Sequence, residues 1–145
     1  MKNLAQAWQF WALLSAAFAA LTAIFAKVGV SGINPDFATF IRTIVLLLVL
    51  AMILTALGGW QSVEGISPKT WTFLILSGLA TGASWICYFR ALKLGDAARV
   101  APLDKMSVVL VAIFAVTFLG EKLTLPNWLG IVLIAGGTVL VAYKG

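Results

Sequence analysis

At 145 residues the chain has the length of one ordinary domain, yet 62% of it is apolar, only 10% is charged and its mean hydropathy is +1.06. A water-soluble domain carries about a quarter charged residues, so the composition excludes a mainly aqueous surface and makes lipid the solvent. With no histidine and one cysteine, it also excludes an internal disulfide, a recognisable His/Cys zinc site and an imidazole-activated nucleophile.

Runs of about 20 apolar residues, the length that crosses a bilayer, predict five spans at 8–26, 37–57, 70–89, 100–119 and 126–143. The fold class expected is all-α, a bundle of five transmembrane helices forming a single domain over 1–145. The first span opens with Trp8 and Trp11 and carries Ser15, Ala19 and Thr22 along one face. Lys2 and the run behind it loosely fit a cleavable signal peptide, but the remainder is equally apolar, so cleavage leaves the membrane reading intact. Gly29, Gly32 and Asn34-Pro35-Asp36 break the chain before span two, where Thr39, Arg42 and Thr43 fall at i, i+3, i+4. Gly58-Gly59, Trp60, Gly65 and Ser67-Pro68 separate that span from the third.

Span three holds a stripe of Ser77, Thr81, Ser84 and Tyr88, with Trp85 beside it and Gly78 and Gly82 at a spacing that suits close helix contact. Gly95-Asp96 precedes span four. There Pro102, read as the first helical residue, places Asp104 in the first turn, where the helix dipole favours an acid. Asp104 and Ser107 share a face, and Lys105 points about 100° away from Asp104. Gly120-Glu121-Lys122 forms a polar turn before span five, whose Gly130 and Gly137 share one face. Trp60, Trp71 and Trp128 lie near span ends with Trp8 and Trp11, as indoles at headgroup depth do, whereas Trp85 does not. Connections this short make neighbouring helices antiparallel.

Five crossings put the termini on opposite sides. Outside the spans, Lys2, Lys69 and Lys122 share the N-terminal side, and Lys27, Arg90, Lys93, Arg99 and Lys144 share the other. The positive-inside rule therefore leans weakly towards an outside N-terminus, and a weak bias is also what a chain inserting in both orientations shows. The ten Lys and Arg behind the net charge of +5 are scattered, eight of them outside the spans. They form no basic stripe of the kind that binds nucleic acid.

Arg42, Asp104 and Lys105 are the charges inside spans. Such residues cost roughly 2.5–3.5 kcal/mol at a span centre and tend to face a cavity or a partner. Spans two and four enter from the side on which spans one and three end. Arg42, Asp104, Lys105, Trp85, Tyr88 and Thr22 therefore share one leaflet, Arg42 about 8 Å deep. A water- or ligand-filled cavity explains this grouping, with Ser15, Ser84 and Ser107 as further lining residues. Plainer readings stand beside it. Asp104 can serve the helix dipole, Lys105 can snorkel, Arg42 can snorkel or pair with Asp104, the hydroxyls can bond their own backbone, and Trp85 and Tyr88 can simply pack.

The stretches Tyr88-Phe89-Arg90-Ala91-Leu92, Val100-Ala101-Pro102-Leu103, Phe118-Leu119-Gly120-Glu121-Lys122-Leu123 and Trp128–Gly137 resemble the EamA domain of the drug/metabolite transporter superfamily. Members of that superfamily typically have ten spans in two inverted five-helix repeats with substrate held between them. The resemblance implies that this chain is one such repeat, working as an antiparallel homodimer or with a related inverted partner chain. The last span, with Gly130, Leu133, Ile134 and Gly137, is similar to the dimer-forming helix of small multidrug resistance proteins. Span one lacks the buried glutamate of those proteins, so proton coupling through that residue does not carry over, and Asp104 is the one acid deep enough to replace it. Arg42 and Lys105 make an anionic or zwitterionic metabolite at least as plausible as a cationic drug.

These readings converge on a multi-pass protein of the inner (plasma) membrane that exports a small metabolite or drug-like solute by alternating access. It contacts lipid, substrate and a dimer partner, and it needs neither cofactor nor nucleic acid. The substrate path would comprise Arg42, Trp85, Tyr88, Asp104 and Lys105, with Ser15, Thr22, Ser84 and Ser107. Arg42 and Lys105 would meet substrate charge, Asp104 would be a proton or counter-charge site, and the aromatics a stacking wall. The alternatives are a non-transporting accessory subunit of a membrane complex and a passive channel.

Overall fold

The computed structural model describes residues 7–143 and is helical, with no strand among them. Lys2 and Lys144, used in the charge comparison above, lie outside the described residues. The α-helices are α1 (Trp8–Gly29), α2 (Pro35–Leu57), α3 (Pro68–Leu94), α4 (Ala97–Asp104), α5 (Ser107–Phe118) and α6 (Leu125–Ala142), with a 3₁₀ turn at Val63–Gly65. Five segments are long and apolar enough to cross a membrane: α1, α2, α3, α4 and α5 taken together as Ala97–Phe118, and α6.

Local chemistry sets the boundaries. Asn34 caps α2, its side-chain oxygen accepting from the Asp36 and Phe37 N–H groups at 2.8 and 3.3 Å, and Pro35 occupies the first turn, where its missing N–H costs nothing. At the far end Gly58 adopts the left-handed conformation (φ 63°). The Gly58 N–H returns to the Thr55 carbonyl and the Gly59 N–H to Leu54, satisfying carbonyls that the helix leaves open. The Ser67 hydroxyl accepts from the Thr70 N–H at the start of α3, and Gly120 (φ 69°) ends α5.

The chain divides into two compact units. Among the described residues, one comprises 7–26 with 94–143, so most of α1 with α4, α5 and α6. In it α6 packs on α4 and α5, presenting buried Thr138 with half-buried Trp128, Ile131, Ala135 and Ala142. These fall at three- and four-residue steps along one helical face. The Thr138 hydroxyl donates to Met106 Sδ (3.0 Å) and to the Ala135 carbonyl (2.8 Å).

The other unit, 27–93, contains the end of α1, α2 and α3. Its most buried residues are Val30, Thr39, Phe89 and Leu92. Polar ties join its two chain segments at one end. Arg90 grips Asp36 through two hydrogen bonds of 2.9 and 2.6 Å, Lys93 Nζ donates to the Ile33 carbonyl at 2.6 Å, and Lys27 Nζ donates to the Leu92 carbonyl at 2.7 Å. Lys27, Arg90 and Lys93, assigned to one side from sequence, thus gather at one end of this unit.

The fourth span departs from expectation. Its helix begins at Ala97, because the Asp96 carbonyl already accepts from the Arg99 and Val100 N–H groups. Pro102 is therefore inside α4 and Asp104 at its C-terminal end, not in a first turn. Pro102 withholds the N–H that would bond one turn back. Just beyond it, the N–H groups of Lys105, Met106, Val108 and Val109 reach back three residues instead of four. This tightened 3₁₀-type segment divides α4 from α5.

Candidate functional site

Arg42 lies about seven residues, or ~10 Å, along α2 from its start at Pro35. Its guanidinium carbon sits 4.0 Å from the centroid of the Trp85 ring and 5.6 Å from that of Phe89, both on α3. Trp85 and Phe89 are one helical turn apart, so they present adjacent ring faces to one point on α2. Arg42, Trp85 and Tyr88 are half-buried, and Phe89 is only 3% exposed. A guanidinium over an aromatic face is held by the ring quadrupole and gives up less hydration than an ammonium would.

The hydroxyls beside Arg42 turn to their own backbone. Thr39 Oγ1 donates to the Pro35 carbonyl (2.9 Å), Thr43 Oγ1 to Thr39 (2.8 Å) and, on α3, Thr81 Oγ1 to Ser77 (2.8 Å). The threonine hydroxyls of the α2 and α3 stripes are thus satisfied within their helices, and the guanidinium and rings carry the site's character.

Within the 27–93 unit the carboxylates are Asp36 and Glu64. Arg90 engages both oxygens of Asp36. Glu64 lies in the 3₁₀ turn beyond the C-terminal end of α2, about 22 Å along that helix from Arg42. No carboxylate of this unit lies within 4 Å of the Arg42 guanidinium.

In the other unit Asp104, Lys105 and Ser107 are exposed around the α4–α5 break. Lys105 Nζ lies 3.3 Å from Asp104 Oδ2, so the two meet, although a continuous helix would have splayed them by about 100°. The bend supplies the approach. Ser15 is exposed and Thr22 half-buried on α1, and Ser84 is exposed on α3.

The glycine pair Gly78 and Gly82 has no atom within 4 Å of where a Cβ would stand, so among the described residues it makes no close helix contact. The same holds for Gly130 and Gly137 on α6, where Leu133 and Ile134 are also exposed.

Two site features escaped sequence reasoning. Phe89 belongs beside Arg42, and its position one turn after Trp85 was the available signal. The Met106–Thr138 contact joins residues 32 apart, which no local pattern announces.

Comparison with known proteins agrees with this architecture. The model of the EamA-like transporter family matches residues 6–143. A protein of Sinorhizobium sp. described as an uncharacterized transporter in the cobO 3′ region is 70% identical over 139 residues, covering 96% of this chain and 99% of the relative. An uncharacterized protein of Methanocaldococcus jannaschii is 31% identical over 130 residues, covering 90% and 92%. No solved structure matches. With five membrane-crossing segments and a family match over nearly its whole length, the chain belongs to the EamA-like transporter family and is a multi-pass membrane transporter.

Proposed function

We propose that the chain exports a small metabolite or drug-like solute across the inner (plasma) membrane by alternating access, as an antiparallel dimer in which two copies supply the inverted repeats. The observation carrying this reading is Arg42, a guanidinium inside a membrane span, seated on Trp85 and Phe89 with no carboxylate of its unit against it. A charge kept at that depth marks a pathway more readily than a structural prop. Tyr88 and Ser84 extend the path on α3. Asp104, Lys105 and Ser107 line it at the α4–α5 break, with Asp104 as the proton or counter-charge site, and Ser15 and Thr22 line it on α1.

The dimer reading draws on α6. Gly130, Leu133, Ile134 and Gly137 form a face on which Leu133 is 75% exposed and the glycines are open. Small residues on such a face let a second backbone approach closely. Opposed copies would place one Arg42 cluster in each leaflet, flanking the midplane.

Reconstitution of the purified chain into liposomes tests the function. Saturable counterflow of a solute, lost in Arg42→Gln and unaffected by Lys69→Gln, is the expected result. Equal flux in wild type and Arg42→Gln would remove Arg42 from the path. Topology reporters at the C-terminus test the arrangement: signal from both sides is expected of a dual-topology homodimer, and signal from one side would require an inverted partner chain. With Cys87 replaced by Ser, a cysteine at Leu133 should cross-link two copies.

A further inference from the structure

We infer that Arg42 is the docking point for a monoanionic carboxylate that carries no cationic group. This rests on the reading of Arg42 as part of the solute path and specifies what that path selects. Three observations on the 27–93 unit carry it.

First, the other charged groups at this end of the unit already have partners. Asp36 is held through both oxygens by Arg90, Lys93 donates to the Ile33 carbonyl and Lys27 to the Leu92 carbonyl. Of the unit's two carboxylates, Asp36 is taken by Arg90 and Glu64 lies beyond the far end of α2, so neither offsets the charge of Arg42. A single negative charge complements it. A phosphate, at about −1.5 to −2, would bring a second negative charge with no cation to meet it, because Lys27, Arg90 and Lys93 already donate elsewhere and Lys69 is about 24 Å along α3 from Trp85.

Second, the ring contacts anchor the guanidinium against aromatic faces. Its central carbon is 4.0 Å from the Trp85 centroid and 5.6 Å from that of Phe89, so the rings hold its charge while the N–H groups along its edge meet no carboxylate of the unit. That edge is a fork of parallel donors matched to the two oxygens of a planar carboxylate. The same rings provide an apolar, polarisable wall for the body of an organic acid.

Third, a zwitterion finds no free carboxylate for its ammonium group here. Asp36 is occupied and Glu64 is beyond the other end of α2. In the other unit Asp104 already has Lys105 at 3.3 Å. Selection against amino acids thus follows from the same ion pairs that leave Arg42 available.

The test is equilibrium dialysis of radiolabelled benzoate against the full chain in uncharged maltoside micelles. Matched competitors follow: butyrate against 4-aminobutyrate, and unlabelled benzoate against 4-(aminomethyl)benzoate. Saturable benzoate binding is expected, with each zwitterion weaker than its matched acid by about tenfold or more, and with Arg42→Gln weakening benzoate by about tenfold or more. Arg42→Lys keeps the charge but loses the fork and is expected to bind several-fold more weakly than wild type; it decides the matter if the Gln variant fails to fold. Lys69→Gln, about 24 Å along α3 from Trp85, should bind benzoate as wild type does.

No saturable binding of either acid by the wild-type chain would overturn the inference. So would affinity unchanged in both Arg42 variants, or a zwitterion bound as tightly as its matched acid. Adding phosphatidylglycerol to the micelles separates the two sources of an oxyanion: unchanged benzoate affinity is expected, and Arg42-dependent displacement by the lipid would assign the site to a headgroup. Counterflow with the same compounds keeps this inference distinct from the transport reading. Zwitterion flux without benzoate binding defeats the carboxylate assignment alone. Arg42-dependent benzoate binding without flux of any solute defeats the transport path and leaves the assignment standing.

Discussion

The contact between Arg42 and Trp85 should be measurable as a coupling energy. Cation–π pairs contribute about 0.5–1 kcal/mol when exposed and about 2 kcal/mol when desolvated. Arg42 and Trp85 are both half-buried and 4.0 Å apart, which places their coupling at about 1–1.5 kcal/mol. Phe89, at 5.6 Å, is near the ~6 Å limit of the interaction and should contribute less. The assay is a double-mutant cycle of wild type, Arg42→Met, Trp85→Leu and the double variant, each unfolded by titrating sodium dodecyl sulfate into mixed micelles. Independent sites add to within about 0.3–0.5 kcal/mol. A coupling under about 0.5 kcal/mol would therefore show that the guanidinium is not held by the indole. The seating of Arg42, on which the carboxylate fork depends, would then fall with it.

Leu92 is completely buried whereas Leu133 is 75% exposed, so the same truncation should give opposite outcomes. Leu92→Ala is expected to cost about 2 kcal/mol or more, as buried Leu truncations do, and Leu133→Ala to stay within about 0.5 kcal/mol in micelles where the chain is monomeric; detergent unfolding compares them directly. Gly58→Ala places a Cβ in the left-handed region (φ 63°) and should lose about 1–2 kcal/mol. Gly78→Ala, in mid-helix with open space around it, should be neutral or gain up to about 1 kcal/mol. Thr138→Val removes the hydroxyl that bridges Met106 Sδ and the Ala135 carbonyl and should cost about 0.5–1.5 kcal/mol. Faster hydrogen exchange at Lys105–Val109 in that variant would show that the contact steadies the α4–α5 break; unchanged exchange would show that it does not.

The membrane class, the number of spans and most of their limits were determined by sequence alone, because lipid imposes a one-dimensional rule. A span must be continuously apolar for about 20 residues, and the chain must be broken by Gly, Pro and Asn between spans. Asn34-Pro35 and Gly58-Gly59 show this directly, since each acts through its own backbone and nearest neighbours. Arg42 and Trp85 could likewise be singled out in advance, as a charge and an indole at depths where neither is ordinarily placed.

What belonged to the tertiary structure was pairing. Arg90, 54 residues from Asp36 along the chain, holds both oxygens of that carboxylate. No periodicity encodes that pairing. The same limit hid the α4–α5 break, where Asp104 and Lys105 come together although helical spacing would part them. Hydropathy reports which segments enter the membrane; only packing determines which of their few charges pair with one another.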